Sequence, residues 1–133
     1  LTQSNGDKKR VVSSIKAVEP RYPFGKGNYG PSLGYSELSI HRGVLWIETS
    51  FIRGHMEHKF RYQNEHFELI GYSYINAWAG QLSTIDYNLS TGRRIEKEGT
   101  IDTAVQNTIS DKIIKLVALP TLDEFEPYAE ILY

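Results

Sequence analysis

The chain has 133 residues, 40% hydrophobic and 23% charged, with a net charge of −1. That size fits one domain with room for an apolar core, and near-neutral charge, with only the short basic runs Lys8-Lys9-Arg10 and Arg93-Arg94 read as solvated charge, argues against a nucleic-acid partner. The absence of cysteine excludes disulfides, thiolate nucleophiles and Cys-ligated zinc, and no apolar run approaches the ~20 residues that span a bilayer as a helix.

Aromatic residues make up 12% of the chain, and nine of them are Tyr, which leans toward pleated sheet. The start, Leu1-Thr2-Gln3-Ser4-Asn5-Gly6, lacks an initiator Met and does not read as a signal peptide. It is expected to be a mature or trimmed terminus, which leans toward export.

Residues 1–10 are polar and expected to fray. Val11 to Val18 reads as a strand because it is rich in β-branched residues, although Val11, Ile15 and Val18 also sit at helical spacing. From Glu19 to Tyr35 the chain carries Pro20, Pro23 and Pro31 among four glycines, so no regular element is expected. Tyr22, Phe24, Tyr29 and Tyr35 punctuate this long loop. Either they pin it to the domain or they serve recognition.

Leu38 and Ile40 alternate with polar neighbours, His41-Arg42-Gly43 forms a turn, and Val44 to Ile52 runs back as a strand. In that strand Leu45, Ile47, Thr49 and Phe51 point one way, and Val44, Trp46, Glu48, Ser50 and Ile52 the other. Arg53-Gly54-His55 breaks the run and His58 to Tyr62 resumes it. After a turn at Gln63 to His66, Phe67 to Ile75 returns. Strict alternation puts Phe67, Leu69 and Ile75 on one face and Ile70, Tyr72 and Tyr74 on the other. Gly71 in mid-strand points to a bulge or a close approach.

Ala77 to Gly80 closes that strand. Gln81 to Leu89 alternates, with Ile85, Tyr87 and Leu89 in phase, and Ser90-Thr91-Gly92 places a glycine where a left-handed residue is needed. Arg93 to Lys97 pairs back. Two further strands are expected at Thr100 to Gln106 and Lys112 to Ala118, then a helical turn from Pro120 to Phe125 and a final apolar piece from Ala129 to Tyr133. The fold class is therefore mainly β: one domain over 1–133 built as an antiparallel sheet of consecutive hairpins. A meander, a sandwich and a partly open barrel all satisfy the pattern.

Lys59-Phe60-Arg61-Tyr62-Gln63, Phe67-Glu68-Leu69-Ile70-Gly71-Tyr72 and Asp86-Tyr87-Asn88-Leu89-Ser90-Thr91-Gly92-Arg93 together resemble a pattern of uncharacterised exported bacterial proteins. There an FRYQ, F-x-LIGY hairpin precedes a hairpin ending N-x-x-TG-K/R. Gly43 to Ile47 resembles the strand upstream of it, so the likeness runs from Gly43 to Lys97, less than half the chain. It implies an antiparallel sheet and a periplasmic or secreted protein, with a cytoplasmic one as the alternative. It implies no catalytic residues.

Tests for chemistry return little. His55 and His58 flank Glu57, but a spacing of three fits neither a strand nor a helical metal site, and His41 and His66 fall in separate turns. Surface histidines are expected. Glu48, Glu68 and Asp86 sit on the outward phase, away from any paired-carboxylate cleft. Gly25-Lys26-Gly27-Asn28-Tyr29-Gly30 mimics a phosphate-binding loop without the strand before it or the helix after it. Asn88-Leu89-Ser90 is a glycosylation sequon, meaningful only in a eukaryotic secretory setting. No metal and no cofactor is implied.

What remains is the aromatic set: Trp46, Tyr72, Tyr74 and Trp78, with Tyr22, Tyr29 and Tyr35 from the loop. Tyr and Trp combine large area with a polar tip and suit interfaces and sugar stacking alike. Three readings follow. The first is a non-enzymatic bacterial protein-binding domain, such as an envelope accessory, immunity or inhibitor protein. The second is a glycan or small-ligand binder with an aromatic-lined pocket, and the third is a hydrolase using buried Glu and His residues. The oligomeric state is left open.

Overall fold

The computed structural model describes residues 13, 14, 17, 35–103, 105–127 and 130–132. The expected strand at 11–18 and the Pro/Gly/Tyr loop at 19–34 fall almost wholly outside them. Seven strands follow in chain order: β1 (Tyr35–His41), β2 (Val44–Phe51), β3 (Gly54–Gln63), β4 (His66–Trp78), β5 (Gln81–Asn88), β6 (Arg93–Thr100) and β7 (Gln106–Ile113). Each pairs antiparallel with the next, giving one open sheet in the order β1 to β7. Of the three architectures allowed by the pattern, the chain adopts the meander.

Three of the hairpins turn on two residues with positive φ: Arg42 (50°) and Gly43 (77°), Asn64 (51°) and Glu65 (65°), Ala79 (49°) and Gly80 (81°). This is the type I′ geometry, whose twist matches that of the strands it joins. Between β5 and β6 the loop closes through Gly92, whose amide donates to the Asn88 carbonyl at 2.8 Å. Gly92 sits at φ 82° and a Cβ there would lie 2.6 Å from Lys115 Cγ. The glycine expected at this turn is thus required by both conformation and space.

Several strand boundaries differ from expectation. β4 runs past Ile75 to Trp78, so Ala77 and Trp78, expected to close the strand, pair with Leu82 and Gln81, and β6 runs past Lys97 to Thr100. β3 begins at Gly54, not His58, because Gly54 to Glu57 pair in register with Glu48 to Phe51 and with Ser73 to Asn76. The Arg53-Gly54-His55 break is a tight turn at Ile52 and Arg53 only. The expected strands at Thr100–Gln106 and Lys112–Ala118 are replaced by a single one, β7. Ile101 to Thr103 form a turn, and residues 114–118 leave the sheet.

A further correction concerns which way β4 faces. Phe60 pairs with Leu69 and Lys59 with Gly71, so Ile70 is an extra residue without a partner on β3. The bulge shifts the alternation by one and puts Phe67 and Leu69 on the same face as Tyr72 and Tyr74. Gly71 marks this bulge, and the Lys59 stem packs over it, with Cδ 3.4 Å from where a Cβ would stand.

One face of the sheet is the core. Ile47, Met56, Phe60, Leu69, Tyr72 and Tyr87 are all at most 2% exposed. Each such side chain contributes roughly 1.5–3 kcal/mol by leaving water. Their cover comes partly from the segment that follows β7. It crosses below the β5–β6 turn, where the Tyr87 hydroxyl donates to the Ile114 carbonyl at 2.8 Å. It then pairs with the overhanging start of β4 through Leu69 N to Pro120 O (2.8 Å) and Leu122 N to Phe67 O (2.9 Å). Leu122, Phe125 and Leu132 drop into the core, the last from a short 3-10 turn at Glu130–Leu132.

Candidate functional site

Alternation sorts the side chains of the sheet onto two unlike faces. Opposite the core lies a face on which none of the described residues of β2 to β6 is buried. Its centre is a row of interacting polar groups. Lys59 Nζ lies 4.2 Å from the centroid of the Trp46 ring and 3.3 Å from Glu57. Ser73 donates to Glu57 at 3.1 Å from the neighbouring strand. His41 meets the Trp46 ring edge-on at 6.1 Å. Trp46 is therefore held between a cation and an imidazole, and its indole N–H has no acceptor among the described residues.

At the far end of this face β5, β6 and β7 form a groove of about 470 Å³ lined by Asp86, Asn88, Thr91, Arg93, Ile95 and Ile113. Arg93 is oriented by a bidentate contact with Asp111, at 2.9 and 3.2 Å. That pairing raises the Arg93 pKa and lowers that of Asp111, as expected when opposite charges share hydrogen bonds. A second depression of about 220 Å³ lies on the core side between Leu69, Pro120, Phe125 and Leu132. Neither contains a Trp or Tyr ring.

The aromatic set does not converge. Trp46 stands on the open face. Tyr72, 1% exposed, is a core residue 5.1 Å from the His58 ring, and Tyr74 is half-buried on the core face, stacked on Phe51 at 5.9 Å. Trp78 is in phase with them but lies at the end of β4, 66% exposed, with the Arg53 guanidinium 4.7 Å over its ring. Tyr35 opens β1 opposite Ser50. Tyr22 and Tyr29 lie outside the described residues.

The histidine expectation is corrected at one position. His55 is exposed, but His58, three residues on, faces the core and is 0% exposed. An odd spacing in a strand sends two side chains to opposite faces. His58 packs between Tyr72 and Phe125, whose ring is 4.7 Å away. Burial lowers its pKa from 6.5 to about 4, and the Pro127 backbone carbonyl pulls weakly the other way. No hydrogen bond of good geometry reaches either ring nitrogen. Among the described residues no group of three His, Asp or Glu side chains is placed to hold a metal ion, and no helix is long and apolar enough to cross a membrane.

An ion pair of a buried Arg94 with a half-buried Glu96 was also missed in the sequence. Arg94, 8% exposed, pairs with Glu96 on the core side and reaches the Leu132 carbonyl at 3.5 Å. The i, i+2 spacing of Arg and Glu within a strand was the available signal. Comparison of the chain with protein-family models, with curated proteins and with solved structures finds no match.

Proposed function

We propose that this chain is a non-enzymatic binding domain for another protein, and that it binds through the open face of its sheet. The supporting observation is the asymmetry of the two faces. One is filled by apolar side chains and the crossing segment, while the other spreads Trp46, Lys59, Glu57, Ser73 and Arg93 over β2, β3, β4 and β6 with none of them buried. An aromatic anchor framed by mixed charge is the composition of a protein-recognition surface, where Trp and Arg carry much of the affinity. The resemblance between Gly43 and Lys97 supports a bacterial source and a role in the cell envelope. Envelope accessory, immunity and inhibitor functions all belong to this class.

The glycan reading asks for a pocket lined by aromatic rings, and neither described groove supplies one. The hydrolase reading asks for acid and base buried together. His58 is buried, but the rings packed on it belong to Tyr72 and Phe125.

The test is a binding measurement with a purified partner, first identified by capture from the native organism. Trp46→Ala is expected to weaken binding by roughly thirtyfold, the loss of about 2 kcal/mol typical of a central aromatic anchor. Ile113→Asp, in the groove, should weaken it less. Wild-type affinity in both variants would remove the open face as the site.

A further inference from the structure

The sheet has two edges, and they differ. The outer side of β7 is interrupted by a bulge, since Glu96 pairs with Ser110 and Lys97 with Thr108, leaving Ile109 unpaired. A bulge breaks the row of outward donors and acceptors and guards an edge. β1 has no such guard. All seven of its residues pair with β2 in unbroken register, and no described strand lies on its other side. It also carries an anomaly. Leu38 and Ile40 stand opposite Ile47 and Leu45, on the core face, yet they are 60% and 69% exposed while Ile47 is 2% exposed.

We propose that β1 pairs with β1 of a second copy of this chain, antiparallel about a two-fold axis at Ser39. The hairpin geometry selects the register. A two-residue turn at Arg42-Gly43 makes His41 and Val44 a hydrogen-bonded pair, so alternate residues, Leu38 and Ile40, direct their backbone N–H and C=O outward. With Ser39 opposite Ser39 of the second copy, Leu38 faces its Ile40 and Ile40 its Leu38, so the outward groups meet in two hydrogen-bonded pairs. The same register sets Glu37 against His41 of the other copy, twice. A shift of two residues one way puts Leu38 opposite Leu38 and leaves Glu37 facing Ser39. A further shift of two in the same direction sets Glu37 against Glu37, a like-charge pair, and a shift of two the opposite way puts Ile40 opposite Ile40 with Glu37 facing Gly43 of the turn. Register is fixed where side chains match on both faces, and only the Ser39-centred pairing matches aliphatic to aliphatic and carboxylate to imidazole. The contact extends the sheet across the axis and leaves both open faces on the same side, free for a partner.

The absence of cysteine from the chain gives a direct test. In this register Ser39 forms a non-hydrogen-bonded pair with its mate, about 4.5 Å between Cα atoms, within disulfide reach. Ser39→Cys is expected to form a covalent dimer under mild oxidation at least roughly tenfold faster than Asn107→Cys on β7, owing to the raised local concentration. Sedimentation of the unmodified chain should show a concentration-dependent dimer. Glu37→Lys should weaken it about tenfold, since the symmetry counts each lost pair twice, and adding His41→Glu should restore it. Equal cross-linking rates at the two positions, a monomer at all concentrations, or a dimer indifferent to Glu37→Lys would each overturn the proposal.

Discussion

His58 shows how one side chain makes the fold sensitive to acid. Its ring is buried against Tyr72 and Phe125, and its pKa falls to about 4 from the ordinary 6.5. Because the folded pKa is the lower one, the unfolded chain binds the proton first. The contribution is complete above pH 6.5 and is lost as pH falls toward 4, a loss of about 3 kcal/mol over that window. Urea unfolding at pH 7.5 and pH 4.5 measures it, and His58→Leu is expected to flatten the difference. Sequence could not place this residue. Lys59 and Glu57 beside it mark the strand as half-polar, and a His on either phase reads alike. What buries it is Phe125, which arrives from 67 positions further along.

At the scale of elements the hairpins were largely legible. Alternation in β2 and β5, the turns at Arg42-Gly43 and Gln63 to His66, and the left-handed Gly92 all follow from local chemistry that tertiary context did not override. The failures share one cause: each depends on pairing, which a single strand does not reveal. The bulge at Ile70 reversed the facing of Phe67 and Leu69 relative to Tyr72. Gly54 to Glu57 look like a break until Glu48 to Phe51 are laid beside them. Glu65 offers a test of the turn argument. It holds φ at 65°, a conformation that costs a residue with a Cβ about 1 kcal/mol and costs glycine almost nothing. Glu65→Gly, which completes the Asn-Gly pair favoured in such turns, is expected to raise stability by ~1 kcal/mol in chemical denaturation.

For the molecule as a whole, the core is a contract between a sheet and a segment remote from it. Phe125 meets Phe60 at 5.0 Å and His58 at 4.7 Å, and Leu122 and Leu132 close the same surface. Phe125→Ala is expected to cost about 3–5 kcal/mol. A chain ending after Ile113 should lose its cooperative thermal transition while keeping strand content by far-UV circular dichroism only in part. The candidate site was less legible than the fold for a related reason. Sequence picked out Trp46 as an aromatic of interest, but only the sheet shows that Lys59 from β3 lies over it, linked through Glu57 of the same strand to Ser73 of β4.

The bridge between Thr121 and Glu68 has a consequence for biosynthesis. A meander assembles hairpin by hairpin as it leaves the ribosome, so β1 to β6 can pair while translation continues. Until residues 120–132 emerge, however, Phe60, Leu69 and Tyr72 remain without their lid. The nascent sheet passes through an interval with its oily side bare, and ribosome-associated chaperones have their opportunity there.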